Sequence, residues 1–191
     1  ALARALSDEG LDEPSVRRIA HDLEHIAHGS PSGIDDAVAT YGCPIFMSPV
    51  RSIEPLTLSE LPRVWVAVSA QSSGTRDAVA RVAEQAQKDP GRFEVQRSRG
   101  AELVARAHGA LLSADWAGLG DVMNQNHDLL AELGVSTPQL DALTEAACSN
   151  GAFGAKLTGA GCGGAVIAVA PPDVALEAPL RAAGAKEVIA P

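Results

Sequence analysis

HDLEHIAHGSPSGIDDAVATYG, residues 21–42, gathers three histidines and four carboxylates and breaks them with Gly29, Pro31 and Gly33. The part before Gly29 continues a helical pattern that opens at Asp12-Glu13-Pro14, where an early proline does no harm because its N–H would be unpaired anyway. Val16, Ile19, Ala20, Leu23, Ile26 and Ala27 recur at i, i+3, i+4 spacing and predict one apolar face, and Gly29 and Pro31 stop the helix. Ser32 to Tyr41 predicts a second, short helix closed by Gly42. Ser32-Gly33-Ile34-Asp35 fits the S-x-x-D capping pattern, so Asp35 has a plain role in holding a backbone N–H. It has a sharper one too, since a carboxylate at a glycine-flanked helix N-terminus is exposed and kept ionised by the helix dipole. The pattern leaves both open.

His21-Asp22-Leu23-Glu24-His25 also matches H-x-x-E-H, a zinc-peptidase signature in which two histidines one turn apart bind metal. A helical wheel argues against it. The apolar residues centre on one side, His21 and His25 fall opposite and are expected to face solvent, and Glu24 lies at the border of the apolar face. No later segment offers an obvious third ligand.

Outward from this stretch, Cys43 to Ser48 and Val64 to Ala70 read as strands separated by a connector with Pro49, Pro55 and Pro62, which marks a domain boundary near residue 57. Thr75 to Glu145 is helical in pattern, with breaks expected at Pro90-Gly91, Gly118-Gly120 and Gly134 to Pro138. Ala155 to Thr158 and Ala165 to Ala170 read as strands around a glycine-rich turn, followed by a helix near Val174 to Ala183 and a last strand over Lys186 to Ala190. That order predicts α+β, with helices laid on an antiparallel sheet.

The turn is KLTGAGCGG, Lys156 to Gly164, in which Gly159, Ala160, Gly161 and Gly163 allow tight turning and exposed N–H groups. It is neither a Walker A loop nor a dinucleotide fingerprint, and a tight strand connection would account for it equally well. Ser72-Ser73-Gly74-Thr75 sits between strand and helix, where Ser73 and Thr75 either bind an anion or cap the helix. Asn124, Asn126 and His127 lie within a helical pattern and read as its polar face.

Bulk properties narrow the classes. A formal charge of −9 argues against nucleic acid or an anionic membrane surface as partner. No window reaches the roughly 18 apolar residues of a membrane span. Three widely spaced cysteines, Cys43, Cys148 and Cys162, fit neither a disulfide framework nor a CxxC metal site, which points to a reducing cytoplasm. Leu2, Ala3, Ala5 and Leu6 at helical spacing, with no initial methionine, predict that the numbering starts inside a helix of something longer.

HGSPSGIDDAVATYG and KLTGAGCGG together resemble the GHMP kinase superfamily, and the first phrase resembles its mevalonate kinase branch. SSGTRDAVARV and MNQNHDLLAELGVSTPQLDAL resemble the family's central helices. The resemblance implies that residues 1–57 complete a ribosomal-S5-like N-terminal domain and that 58–191 form a ferredoxin-like GHMP C-terminal domain. It implies Asp35 as catalytic carboxylate and Glu24 as magnesium ligand. It places His28, Gly29, Ser32, Gly33, Ser73, Thr75, Gly159, Ala160, Gly161 and Gly163 near substrate or nucleotide. ATP and Mg²⁺ would serve transfer of a phosphoryl group to mevalonate. The family's lysine-bearing motif and its GLGSSA-type phosphate loop have no counterpart in these residues, and Cys162 stands where the family usually has glycine. Three outcomes follow: a kinase completed by an N-terminal segment, a homodimer or non-catalytic module that needs such a partner, or a GHMP kinase for phosphomevalonate or a sugar.

Overall fold

In a computed structural model of the chain, residues 12–28, 33–48, 52–70 and 75–191 are described, without the side chains of Glu13, Ala27, His28, Thr75, Arg76 and Asp77. The helix expected at Leu2 to Leu6, and the expectations for Gly29, Ser32 and Ser73, lie outside them, as do those for the side chains of His28 and Thr75. The chain divides into two units, Ala1–Thr57 and Leu58–Pro191.

The first unit holds a helix pair and a small hairpin. Helix α1 (Glu13–His28) begins where Asp12 Oδ1 accepts the Ser15 N–H at 3.0 Å. Helix α2 (Ile34–Tyr41) packs on it and runs between two left-handed glycines, Gly33 (φ 84°) and Gly42 (φ 65°). Gly42 N–H closes the helix on Val38 O, as the sequence pattern requires. Strands β1 (Ile45–Met47) and β2 (Ile53–Pro55) pair antiparallel. The sequence reading missed β2 because two prolines flank or end it, and Pro55 is tolerated at the end of a two-stranded pair.

The apolar face expected on α1 is only partly covered: Val16 is buried, whereas Leu23 is 57% and Ile26 83% exposed. A wheel identifies the apolar side of one helix but not how far a neighbour extends along it.

The second unit is an α+β fold. Strands β3 (Val64–Val68), β4 (Gly154–Thr158), β5 (Ala165–Val169) and β6 (Glu187–Ile189) form an antiparallel sheet in the order β4-β5-β3-β6. Alternation along the strands puts Trp65 and Ala67, Ala155 and Leu157, and Val166 and Ala168 on one buried face. Helix α6 (Pro138–Ser149) covers that face with Leu140, Leu143 and Ala147, and the short α7 (Glu177–Ala182) adds Leu180. Helix α3 (Thr75–Lys88) adds Ala78 to the same cluster, while α4 (Pro90–Leu112) and α5 (Trp116–Glu132) pack together and meet Val64, Ile167 and Val169 through Leu111, Leu119 and Met123. Asp89 and Thr137 cap α4 and α6 through the N–H groups of Arg92 and Leu140, and each is followed by a proline at the first helical position.

One expected break moves. The chain turns at Ser113–Asp115, not at Gly118-Gly120, and α5 runs straight through both glycines. Ala114 takes the left-handed turn conformation (φ 53°), and Asp115 Oδ1 caps α5 by accepting Gly118 N–H at 2.9 Å. Gly120 serves packing: a Cβ there would overlap Phe153, and one at Gly154 would overlap Gly120 O, so α5 and β4 meet backbone to backbone.

Candidate functional site

In the first unit the site begins with the turn that opens α2. Gly33 is the N-cap and offers no side chain to cap that end, and Ser32, the first residue of the S-x-x-D capping pattern, lies outside the described residues. Asp35 and Asp36 both lie in the first turn, where the helix dipole favours negative charge. Their environments differ: Asp35 is exposed, whereas Asp36 is 3% exposed. Glu24, on the adjacent α1, is half-buried.

The structure corrects the reading of His21. Its ring faces α2 and not only solvent, with Nδ1 3.1 Å from Asp36 Oδ2. His25, exposed, stacks edge-on against His21 with ring centroids 4.9 Å apart. The other carboxylate oxygen of Asp36, Oδ1, is buried with no hydrogen-bond partner. Thr40 Oγ1 donates to Asp36 O at 2.7 Å, tying the same residue into the helix. Sequence reasoning missed Asp36 because two adjacent aspartates look alike until the helix is rotated against its neighbour.

Among the described residues no group of three or more His, Cys, Asp and Glu side chains is arranged to hold a metal ion. That tells against the zinc-peptidase match, which needs such a set.

In the second unit the candidate element is backbone. Gly159, Gly161, Cys162, Gly163 and Gly164 all have positive φ, a run that glycine supplies readily and Cys162 (φ 56°) accepts at some strain. The turn is held at its far end and in its middle. Ser69 N–H, just past β3, donates to Gly164 O at 2.7 Å, and Cys162 N–H donates to Val135 O at 2.6 Å. Gly161 sits so close to that support that a Cβ would overlap the Val135 carbonyl oxygen.

Strand β4, which leads into the turn, is the sheet's edge, and its outward groups are covered by side chains. Asn124 Oδ1 accepts Ala155 N–H at 2.9 Å, and His127 Nδ1 accepts Leu157 N–H at 3.2 Å. Lys156 Nζ donates to Leu157 O at 2.7 Å. Burial holds that ammonium below the ordinary lysine range. Asn124 and His127, read from the sequence as a polar helix face, are thus spaced to serve alternate residues of a strand. Ser69 and Lys156 carried no sequence signal of these roles.

The family model described as GHMP kinases C terminal matches residues 107–186. Mevalonate kinase of Pyrococcus horikoshii is 37% identical over 176 residues, which is 90% of this chain and 52% of that protein. The chain thus spans about half the length of the curated relatives it matches. Among solved structures, L. major mevalonate kinase in complex with R-mevalonate superposes with a TM-score of 0.84 at 28% identity, over 94% of this chain and 58% of that one. The Methanococcus jannaschii mevalonate kinase gives 0.75 at 23% identity, over 96% of this chain and 57% of that one, a likeness of fold.

Proposed function

We propose, from the premise that residues 107–186 are a GHMP kinases C-terminal domain, that this chain is the C-terminal portion of a kinase that transfers the γ-phosphoryl group of ATP to mevalonate. The observation that carries this is an exposed carboxylate, Asp35, at the glycine-framed start of α2, in a chain 37% identical over 90% of its length to a mevalonate kinase. The solved neighbour that holds R-mevalonate supports the same substrate. Residues 1–57 would complete a ribosomal-S5-like N-terminal domain and 58–191 form the C-terminal domain.

In this reading Asp35, in the first turn of α2, accepts or orients the proton of the attacking hydroxyl. Asp36, buried against His21, fixes the rotation of α2 so that Asp35 stays outward. Glu24 would hold magnesium, which when bound neutralises charge on the transferring phosphates. Within the second unit the turn Gly159–Gly164, with Ala160, Gly161 and Gly163, would help to shape the nucleotide and substrate site, and Gly33 would lie near substrate in the first. His28, Gly29, Ser32, Ser73 and Thr75 belong to the same proposal. The setting is the cytoplasm.

The test is ATP-dependent phosphorylation of mevalonate by the chain, alone and supplied with the half of the relatives' length that it does not span. Activity toward mevalonate in the second sample, and none toward phosphomevalonate or galactose, is the expected result. Phosphorylation of another hydroxyl substrate in its place would refute mevalonate as the acceptor.

A further inference from the structure

The glycine-rich turn has two supports on different elements, His127 for the strand that enters it and Val135 for its middle, and one carboxylate touches both. Asp141, in the first turn of α6, accepts from His127 Nε2 at 3.1 Å through Oδ1, and the same oxygen accepts from Ser136 Oγ. Ser136 follows Val135, whose carbonyl takes the Cys162 N–H. We propose that Asp141 is a positioning residue for the turn Gly159–Gly164, holding its entry through His127 and its middle through Ser136 and Val135.

The argument is one of tautomer and anchoring. Leu157 N–H can only donate, so His127 Nδ1 must present a lone pair to it and the ring proton must sit on Nε2. Asp141 faces Nε2 and, being an acceptor there, selects that tautomer. Without it the Nδ1–H tautomer competes, and that form would face Leu157 donor to donor. His127 is 8% exposed, so few water molecules reach it to take over the bond. At the second support, Ser136 Oγ–H anchors the residue beside Val135 to the start of α6. Releasing it frees the Val135 carbonyl, which packs close against Gly161, to drift from Cys162 N–H. The side chain of Asp141 is itself half-exposed, so its loss leaves no buried hole.

The consequence for catalysis rests on the reading of the turn as helping to shape the nucleotide and substrate site, and the experiment separates the two. In the full chain, amide hydrogen exchange is followed at Leu157 and Cys162, with the amides of β3 and β5 as reporters of global opening. Asp141→Ala is expected to speed exchange at both Leu157 and Cys162 about tenfold, the factor that loss of one ordinary hydrogen bond makes, with β3 and β5 unchanged. Asp141→Asn, which keeps an acceptor oxygen, is expected to restore protection at both. Acceleration at Leu157 alone, at neither, or equally throughout the sheet would overturn the proposal. In the kinase assay Asp141→Ala is expected to lower kcat/KM about tenfold and Asp141→Asn to restore it. Unchanged turnover beside faster exchange would overturn the turn's place in the active site and leave the brace standing.

Discussion

Two glycine-framed turns are the candidate sites of this chain, and they are built by opposite means. At Gly33–Asp36 the glycine frames a helix start, and what matters is side chains: one carboxylate exposed, its neighbour buried against His21. At Gly159–Gly164 the side chains are nearly absent, and what matters is backbone held by Ser69, Val135, Asn124 and His127. The first turn can therefore lose its function without losing its fold. The second cannot change shape without disturbing the sheet edge on which it is built.

The largest expected effect breaks the first turn. Asp35→Asn should lower kcat about 10²- to 10⁴-fold, the usual contribution of a positioned base, because an amide cannot take the hydroxyl proton. Asp35 is exposed, so thermal unfolding by circular dichroism should shift by no more than a degree or two about the wild-type value. A large drop in melting temperature would place Asp35 among the structural residues and erase the contrast.

Gly161→Ala should do the reverse. Its φ of 83° is strained for any L side chain, and the added methyl meets the Val135 carbonyl oxygen, a backbone atom with little freedom to move. Together these predict a loss of about 2–4 kcal/mol, read by denaturant titration of the full chain. A variant as stable as the wild type would mean that the turn is looser than its hydrogen bonds describe.

Much of this was legible in the sequence. The four glycines of KLTGAGCGG and the breaks at Pro90-Gly91 and Gly134 to Pro138 located the turn and two helix boundaries. Alternation found the four strands of the large sheet to within a residue or two. What escaped was whatever depends on a second element. His21 reads as solvated until α2 crosses beside it, and Leu23 and Ile26 read as core although both are exposed in the structure. His127 reads as a polar surface until β4 offers it an N–H. The β2 strand escaped because its prolines signal a connector, and Gly118-Gly120 misled because a glycine that permits close approach looks the same in sequence as one that permits a turn.

The smallest expected effect sharpens the second turn. Lys156 uses its ammonium to cover Leu157 O at the sheet edge, and burial disfavours that charge. Its pKa is lowered in the folded state, so the unfolded chain binds the proton more tightly. Stability should then rise with pH from the lowered folded value up to the ordinary lysine value, and show no pH dependence from Lys156 below that window, where the cost of burying the charge is fully present. In Lys156→Met this alkaline rise should disappear, because the group that titrates is gone while its apolar stem is kept. The comparison to make is the pH dependence of the unfolding midpoint for both proteins between neutral and alkaline pH. A rise that persists in the variant would assign it to another group and leave Lys156 as a solvated lysine, in which case the edge of β4 is covered by Asn124 and His127 alone.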